Sequence, residues 1–167
     1  MVRSDRRDPV ASTGNAAPTR YEVKGENLPG GRASISARGG DIGFDGAAGA
    51  NGSGTGDEKL PGPADLMAAA LAACILKNVE RFSKILRFDY RRATIDVAVE
   101  REEPPPRIAR ARYRLQVETD ESDARLELLH RNIRKFGTIT NTIAAAADLQ
   151  GEIIAVRTPA GTGTAPA

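Results

Sequence analysis

The chain has 167 residues, 40% of them hydrophobic and 28% charged, with a formal net charge of +2. That length fits one domain with a real core, and so small a net charge gives no case for a nucleic-acid or membrane partner. A single cysteine excludes an internal disulfide and any zinc site built on paired cysteines, and the expected compartment is the cytoplasm. Arg6 and Arg7 are followed by Asp8 and Pro9 where an export signal would turn apolar, and the longest apolar run, residues 66–76, is too short to span a bilayer.

Residues 1–19 lack hydrophobic periodicity and read as a loose basic tail, and the Gly, Pro, Thr and Ala of residues 158–167 as a second flexible one. The folded domain is expected over residues 20–157. It opens with two short alternating segments, "RYEVKG" at 20–25 and "RASISARGG" at 32–40, both read as strands, with "DIGFDG" at 41–46 a third candidate. A glycine-rich loop of unusual length fills residues 47–62.

A long helix follows. Pro63 suits its first turn, Asp65 favours the positive helix start, and Leu71, Ile75, Val79, Phe82 and either Ile85 or Leu86 form one apolar stripe. Residues 66–76 are apolar on every side, so this half must be central to the fold or covered by a partner chain. Next comes a hairpin. Ala93, Ile95, Val97 and Val99 share a face of one strand, and Ala109, Ala111, Tyr113, Leu115 and Val117 a face of the other, with "EEPPPR" between them. Arg110, Arg112 and Arg114 line the second strand's outer face, where cross-strand pairing with Asp96, Glu100 and Glu102 accounts for them without a ligand.

A second helix over residues 122–135 buries Leu126, Leu129, Ile133 and Phe136, and Gly137 stops it. "TITNTIAAAADL", residues 138–149, reads as a third helix and "GEIIAVR", residues 151–157, as a closing strand. The order of elements is that of an α+β fold and not of a doubly wound parallel sheet.

Two residues invite chemistry. Cys74 among alanines reads either as a small buried hydrophobe or as a redox thiol, and Lys77, Asn78 and Arg81 at i+3, i+4 and i+7 give its face a cationic continuation. His130, the one histidine, reads as a surface position flanking the stripe, ahead of a Cys–His pair; alone with scattered carboxylates it is no metal signature.

"LPGPADLMAAALAACILKNVERF", then the hairpin, the charged helix and "RKFGTITNTIAAA", resembles the OsmC/Ohr family, the osmotically inducible and organic hydroperoxide resistance proteins, over about residues 20–157. The resemblance implies an OsmC-like fold: N-terminal strands, a long central helix bearing the cysteine, a β-hairpin, two more helices and a closing strand. It also implies an intertwined homodimer with the cysteine helices at its centre. Cys74 then matches the peroxidatic residue, which attacks an organic hydroperoxide.

The resolving cysteine of the family's second motif is replaced by Gly137. The family's glutamate falls on Ala64, with Asp65 one position later, and Arg32 or Arg38 is the candidate for the thiolate-holding arginine. A substrate pocket would take Met67, Leu71, Lys77, Asn78, Gly137 and Thr140. The resemblance implies no cofactor, metal, nucleic acid or membrane; the partners are a second copy, an organic hydroperoxide or other small apolar molecule, and an external thiol reductant. Two activities stay open: a one-cysteine hydroperoxide reductase, or a non-catalytic dimer that binds a small apolar molecule or senses oxidation through Cys74. Nucleic-acid binding ranks third.

Overall fold

A computed structural model describes residues 18–28, 32–46 and 60–157. Residues 1–17 and 158–167, with the expected tails, lie outside these, as does most of the glycine-rich loop. Among the described residues, two three-stranded sheets and three helices make up the α+β architecture. The first sheet joins β1 (Lys24–Leu28), β2 (Arg32–Ala37) and β3 (Gly40–Asp45) as an antiparallel meander. Its tight turn is Arg38–Gly39, where φ is 50° and 82°, the left-handed pair that a two-residue hairpin needs. β1 starts at Lys24 and not at Arg20. The register sets Lys24 opposite Ser36, so residues 21 and 22 would face the Arg38–Gly39 turn, where no strand is left to pair with; Tyr21 and Val23 are correspondingly exposed.

The long helix is α1 (Pro63–Leu86). Pro63 occupies its first turn, and the Gly62 amide donates to Asp65 Oδ2 at 2.8 Å, satisfying a donor that the helix start would otherwise orphan. The far end closes at Arg87 with φ 49°, and the Leu86 and Arg87 carbonyls accept from the Arg125 guanidinium. The expected stripe is buried: Leu71, Ile75, Val79 and Phe82 are at most 4% exposed. Of the two candidates for its end, Leu86 packs on the core and Ile85 faces out.

That stripe lies against the second sheet, in which β4 (Arg92–Glu102) and β5 (Arg107–Glu118) form the expected hairpin and β6 (Asp148–Val156) joins β5 in parallel. The inner face carries the two predicted apolar rows. On the outer face every arginine of the β5 stripe has an acidic neighbour: Arg110 on Glu100 at 2.7 Å and Glu102 at 3.0 Å, Arg112 on Asp148 at 2.8 Å, and Arg114 on Glu152 at 2.6 Å. Two of these partners come from β6 and not from the hairpin. β6 also begins three residues earlier than expected, at Asp148, so α3 (Thr138–Ala146) ends sooner. Pairing of Asp148 to Gln150 with Arg110 to Arg112 claims those residues for the sheet.

α2 (Asp123–Phe136) buries Leu126, Leu129 and Ile133 as expected. Two residues depart from expectation. Phe136 is 46% exposed at the helix end, its ring 5.4 Å from that of Phe82. His130 is buried, at 6% exposure, because positions 126, 129, 130 and 133 form one helical face. Its Nε2 lies 2.7 Å from the Tyr113 hydroxyl, and the Tyr113 ring crosses β6 over Gly151, where any side chain would collide with it.

Burial, aided by Arg134 and opposed by Glu127, pulls the His130 pKa below its ordinary 6.5. The unfolded chain therefore binds the proton more readily, and the stability due to neutral His130 is complete above about pH 6.5 and lost as pH falls below it. We expect thermal denaturation between pH 7 and 5 to show a steeper loss of stability for the wild type than for His130→Gln, whose amide offers Tyr113 a polar partner but does not titrate.

Candidate functional site

Cys74 sits three turns into α1, half-buried, with its thiol free. One turn before it, Leu71 is fully buried in the core, and two turns before it Met67 packs against the core from a half-exposed position. One turn after it, Asn78 is buried, and its Nδ2 donates to the Cys74 carbonyl at 2.9 Å and lies 3.7 Å from Cys74 Sγ. Lys77 is exposed, with no hydrogen bond to the sulfur. The Arg81 guanidinium lies 5.3 Å from the centre of the Phe82 ring. Of the predicted cationic continuation, the amide is the group that meets the thiol.

The remaining candidates lie farther off. Asp65 is nine residues before Cys74, about 14 Å along the helix axis, and its carboxylate is engaged at the helix start. Arg32 and Arg38 stand at opposite ends of β2, about 20 Å apart, so at most one of them can reach a given thiol. Arg32 opens β2 opposite Asp45, whose amide donates to the Pro61 carbonyl at 3.0 Å just before α1. Arg38 occupies the exposed tip at the other end. The first sheet makes only grazing contact with the helices and second sheet of its own chain. Within one chain, then, the structure gathers Asn78 about Cys74 and leaves Asp65 and Arg38 apart from it.

Gly137 ends α2 and begins α3, and α3 packs on α1. Its φ of −77° is ordinary, so conformation does not demand glycine here. Space does. A Cβ at 137 would stand 2.5 Å from Thr140 Oγ1, 2.9 Å from Thr140 Cβ and 3.0 Å from the Ile133 carbonyl oxygen. Thr140 is 3% exposed, and its hydroxyl is buried without a hydrogen-bond partner. Thr140 thus fills the volume a residue-137 side chain would use. Sequence alone pairs these two positions only as neighbours in a motif; the steric exclusion is a property of the helix junction.

Among the described residues no group of three or more His, Cys, Asp or Glu could hold a metal ion, and no helix is long and apolar enough to cross a membrane. A shallow depression of about 510 Å³ lies on the second sheet, lined among others by Asp96, Ala98, Arg112, Arg114 and Glu152. It belongs to the ion-pair ladder and not to the cysteine.

Solved structures share this two-sheet α+β architecture. An OsmC-like protein from Mycoplasma pneumoniae is 12% identical and superposes with a TM-score of 0.70, covering 81% of this chain and 98% of its own. The organic hydroperoxide resistance protein OhrB of Bacillus subtilis is 18% identical, with a TM-score of 0.63 over 80% and 98% of the two chains. An organic hydroperoxide resistance protein from Legionella pneumophila is 16% identical, with a TM-score of 0.62 over 82% and 99%. No curated protein matches in sequence. The model of the family described as OsmC-like protein matches residues 55–151, more than half of the chain. The chain belongs to that family.

The Gly137–Thr140 contact decides the sign of a substitution. Alanine for glycine at an ordinary φ usually stabilises. Here Gly137→Ala is expected to cost about 1–3 kcal/mol by overpacking, and Thr140→Ala in the same chain to recover part of it. Urea denaturation of the two singles and the double checks this.

Proposed function

We propose that the chain is a thiol-dependent redox protein of oxidative stress, at most a one-cysteine organic hydroperoxide reductase working through Cys74. The carrying observation is a free, half-buried thiol on the central helix of an OsmC-like fold, with an amide donor one turn away. The Cys74 thiolate attacks a peroxide oxygen, the O–O bond breaks, and the leaving alkoxide takes a proton, giving Cys74 sulfenic acid and an alcohol. With no second cysteine in the chain, an external thiol must attack that sulfenic acid, releasing water and forming a mixed disulfide. A second external thiol then frees Cys74 and leaves as disulfide. The two electrons that reduce the peroxide come from the two external thiols.

The working form in this reading is a homodimer. Ala69, Ala70 and Ala73 are exposed on the otherwise apolar first half of α1, and Ile42 is half-exposed on a first sheet that makes only slight contact with the helices and second sheet of its own chain. A second copy would cover both surfaces. It would also let the N-terminal strands of one chain bring Arg32 or Arg38 to the thiol of the other, where a guanidinium would favour the thiolate.

A second reading is favoured by the closed space at Gly137 and by the exposed Ala64 where the family's glutamate would stand: a dimer that keeps the fold and binds a small apolar molecule, or registers oxidation at Cys74, without turnover. Steady-state consumption of an organic hydroperoxide with dithiothreitol or dihydrolipoamide separates the two. The reductase reading expects slow turnover that Cys74→Ser abolishes; equal turnover in the mutant would refute it, and none in either protein would favour the second reading. In sedimentation, the wild type is expected at twice the chain mass and Ala70→Glu, which places a charge on the exposed face, shifted toward one. A folded wild-type monomer at micromolar concentration would overturn the dimer.

A further inference from the structure

We infer that Asn78 is a positioning residue for Cys74, its carboxamide holding the sulfur and favouring the thiolate; this rests on the reading of Cys74 as the working thiol. Asn78 is 8% exposed on the stripe of α1 that otherwise carries Leu71, Ile75, Val79 and Phe82 into the core. A carboxamide in that position has to be bonded to be tolerated. Nδ2 has two protons. One goes to the Cys74 carbonyl oxygen, 2.9 Å away, and Sγ of the same residue stands 3.7 Å from the same nitrogen, within the longer reach of a sulfur acceptor.

The carbonyl bond alone would say little, because α2 contains its counterpart: Asn132 Nδ2 donates to the Leu128 carbonyl at 2.8 Å, also four residues back. An asparagine in a helix makes that bond wherever it can. The two sites differ in what stands at i−4. Beside Asn132 it is leucine; beside Asn78 it is the one thiol of the chain. The carbonyl bond anchors the amide, so Nδ2 is already within reach of the sulfur before any charge develops there. A hydrogen bond given to a charged group favours that charged form, and one that is preorganised does so without reorganisation when the thiolate forms. Lys77, the nearest cation in sequence, is exposed and does not bond the sulfur, which leaves the amide as the polar group in contact with it among the described residues.

The test is the pH profile of Cys74 alkylation by iodoacetamide, read by mass on the full chain, where a single cysteine makes the product unambiguous. Ultraviolet absorbance of the thiolate gives the same profile independently of access. Asn78→Leu is expected to shift the midpoint upward, with alkylation below it slowed about tenfold, the scale of one lost hydrogen bond to a charged group. Asn78→Asp, which keeps the volume but removes the donor, should shift it at least as far and serves if the leucine variant does not fold. Asn132→Leu, which removes the matching carbonyl bond from α2, should leave the profile where it was. A folded Asn78 variant with the wild-type profile would overturn the inference, whatever its melting temperature, since a purely structural role would move stability and not the thiol. Alkylation needs no peroxide, so a failure of Asn78 to tune the sulfur is distinguishable from a failure of Cys74 to turn substrate over.

Discussion

Burial of one stripe of α1 against the second sheet is the constraint from which the rest of the molecule follows. Leu71, Ile75 and Val79 are at most 1% exposed, α1 packs on β4, and these residues share one core with the equally buried Ala111, Leu115 and Val117 of the central strand. Each fully buried aliphatic side chain contributes about 1.5–3 kcal/mol, so the orientation of α1 about its own axis is strongly set. Once it is set, Asn78 is fixed on the covered side, Cys74 at its margin, and the alanines at 69, 70 and 73 on the open side. The environment of the thiol is a by-product of how the core is packed.

Charge plays the complementary role on the sheet's outer surface. The three arginines of β5 stand between acids on β4 and β6, and each individual pair is exposed enough to be worth little by itself. Together they specify more than they stabilise. A slip of β6 by one residue along β5 would turn Asp148 and Glu152 to the inner face and Leu149 and Ile153 to the outer one. The ladder and the apolar row therefore agree on one register.

Much of this could be read before the structure. Pro63 and Asp65 marked the start of α1, alternation marked both strands of the hairpin, and the spacing of Leu126, Leu129 and Ile133 marked the buried face of α2. These signals are local. What escaped depended on partners distant in sequence: the start of β1 on the turn at Arg38–Gly39, the end of α3 on pairing with β5, and the partner of His130 on Tyr113 and the bare backbone at Gly151. The candidate site divides the same way. The place of Cys74 on its helix was legible, and so was Asn78 four residues on. That Asp65 is occupied at the helix start, and that Thr140 closes the space beside Gly137, are facts of packing that no residue type announces.

The parallel pairing of β5 with β6 also orders events during synthesis. The strands are joined through α2 and α3, and Tyr113 cannot settle across Gly151 until that residue exists. Until residues 148–156 are in place, β5 offers an unpaired backbone edge, and Arg112 and Arg114 lack the carboxylates of Asp148 and Glu152. Long-range parallel pairing is slow to form because a large loop must close first. During that interval the central strand itself is an edge with which another copy could pair.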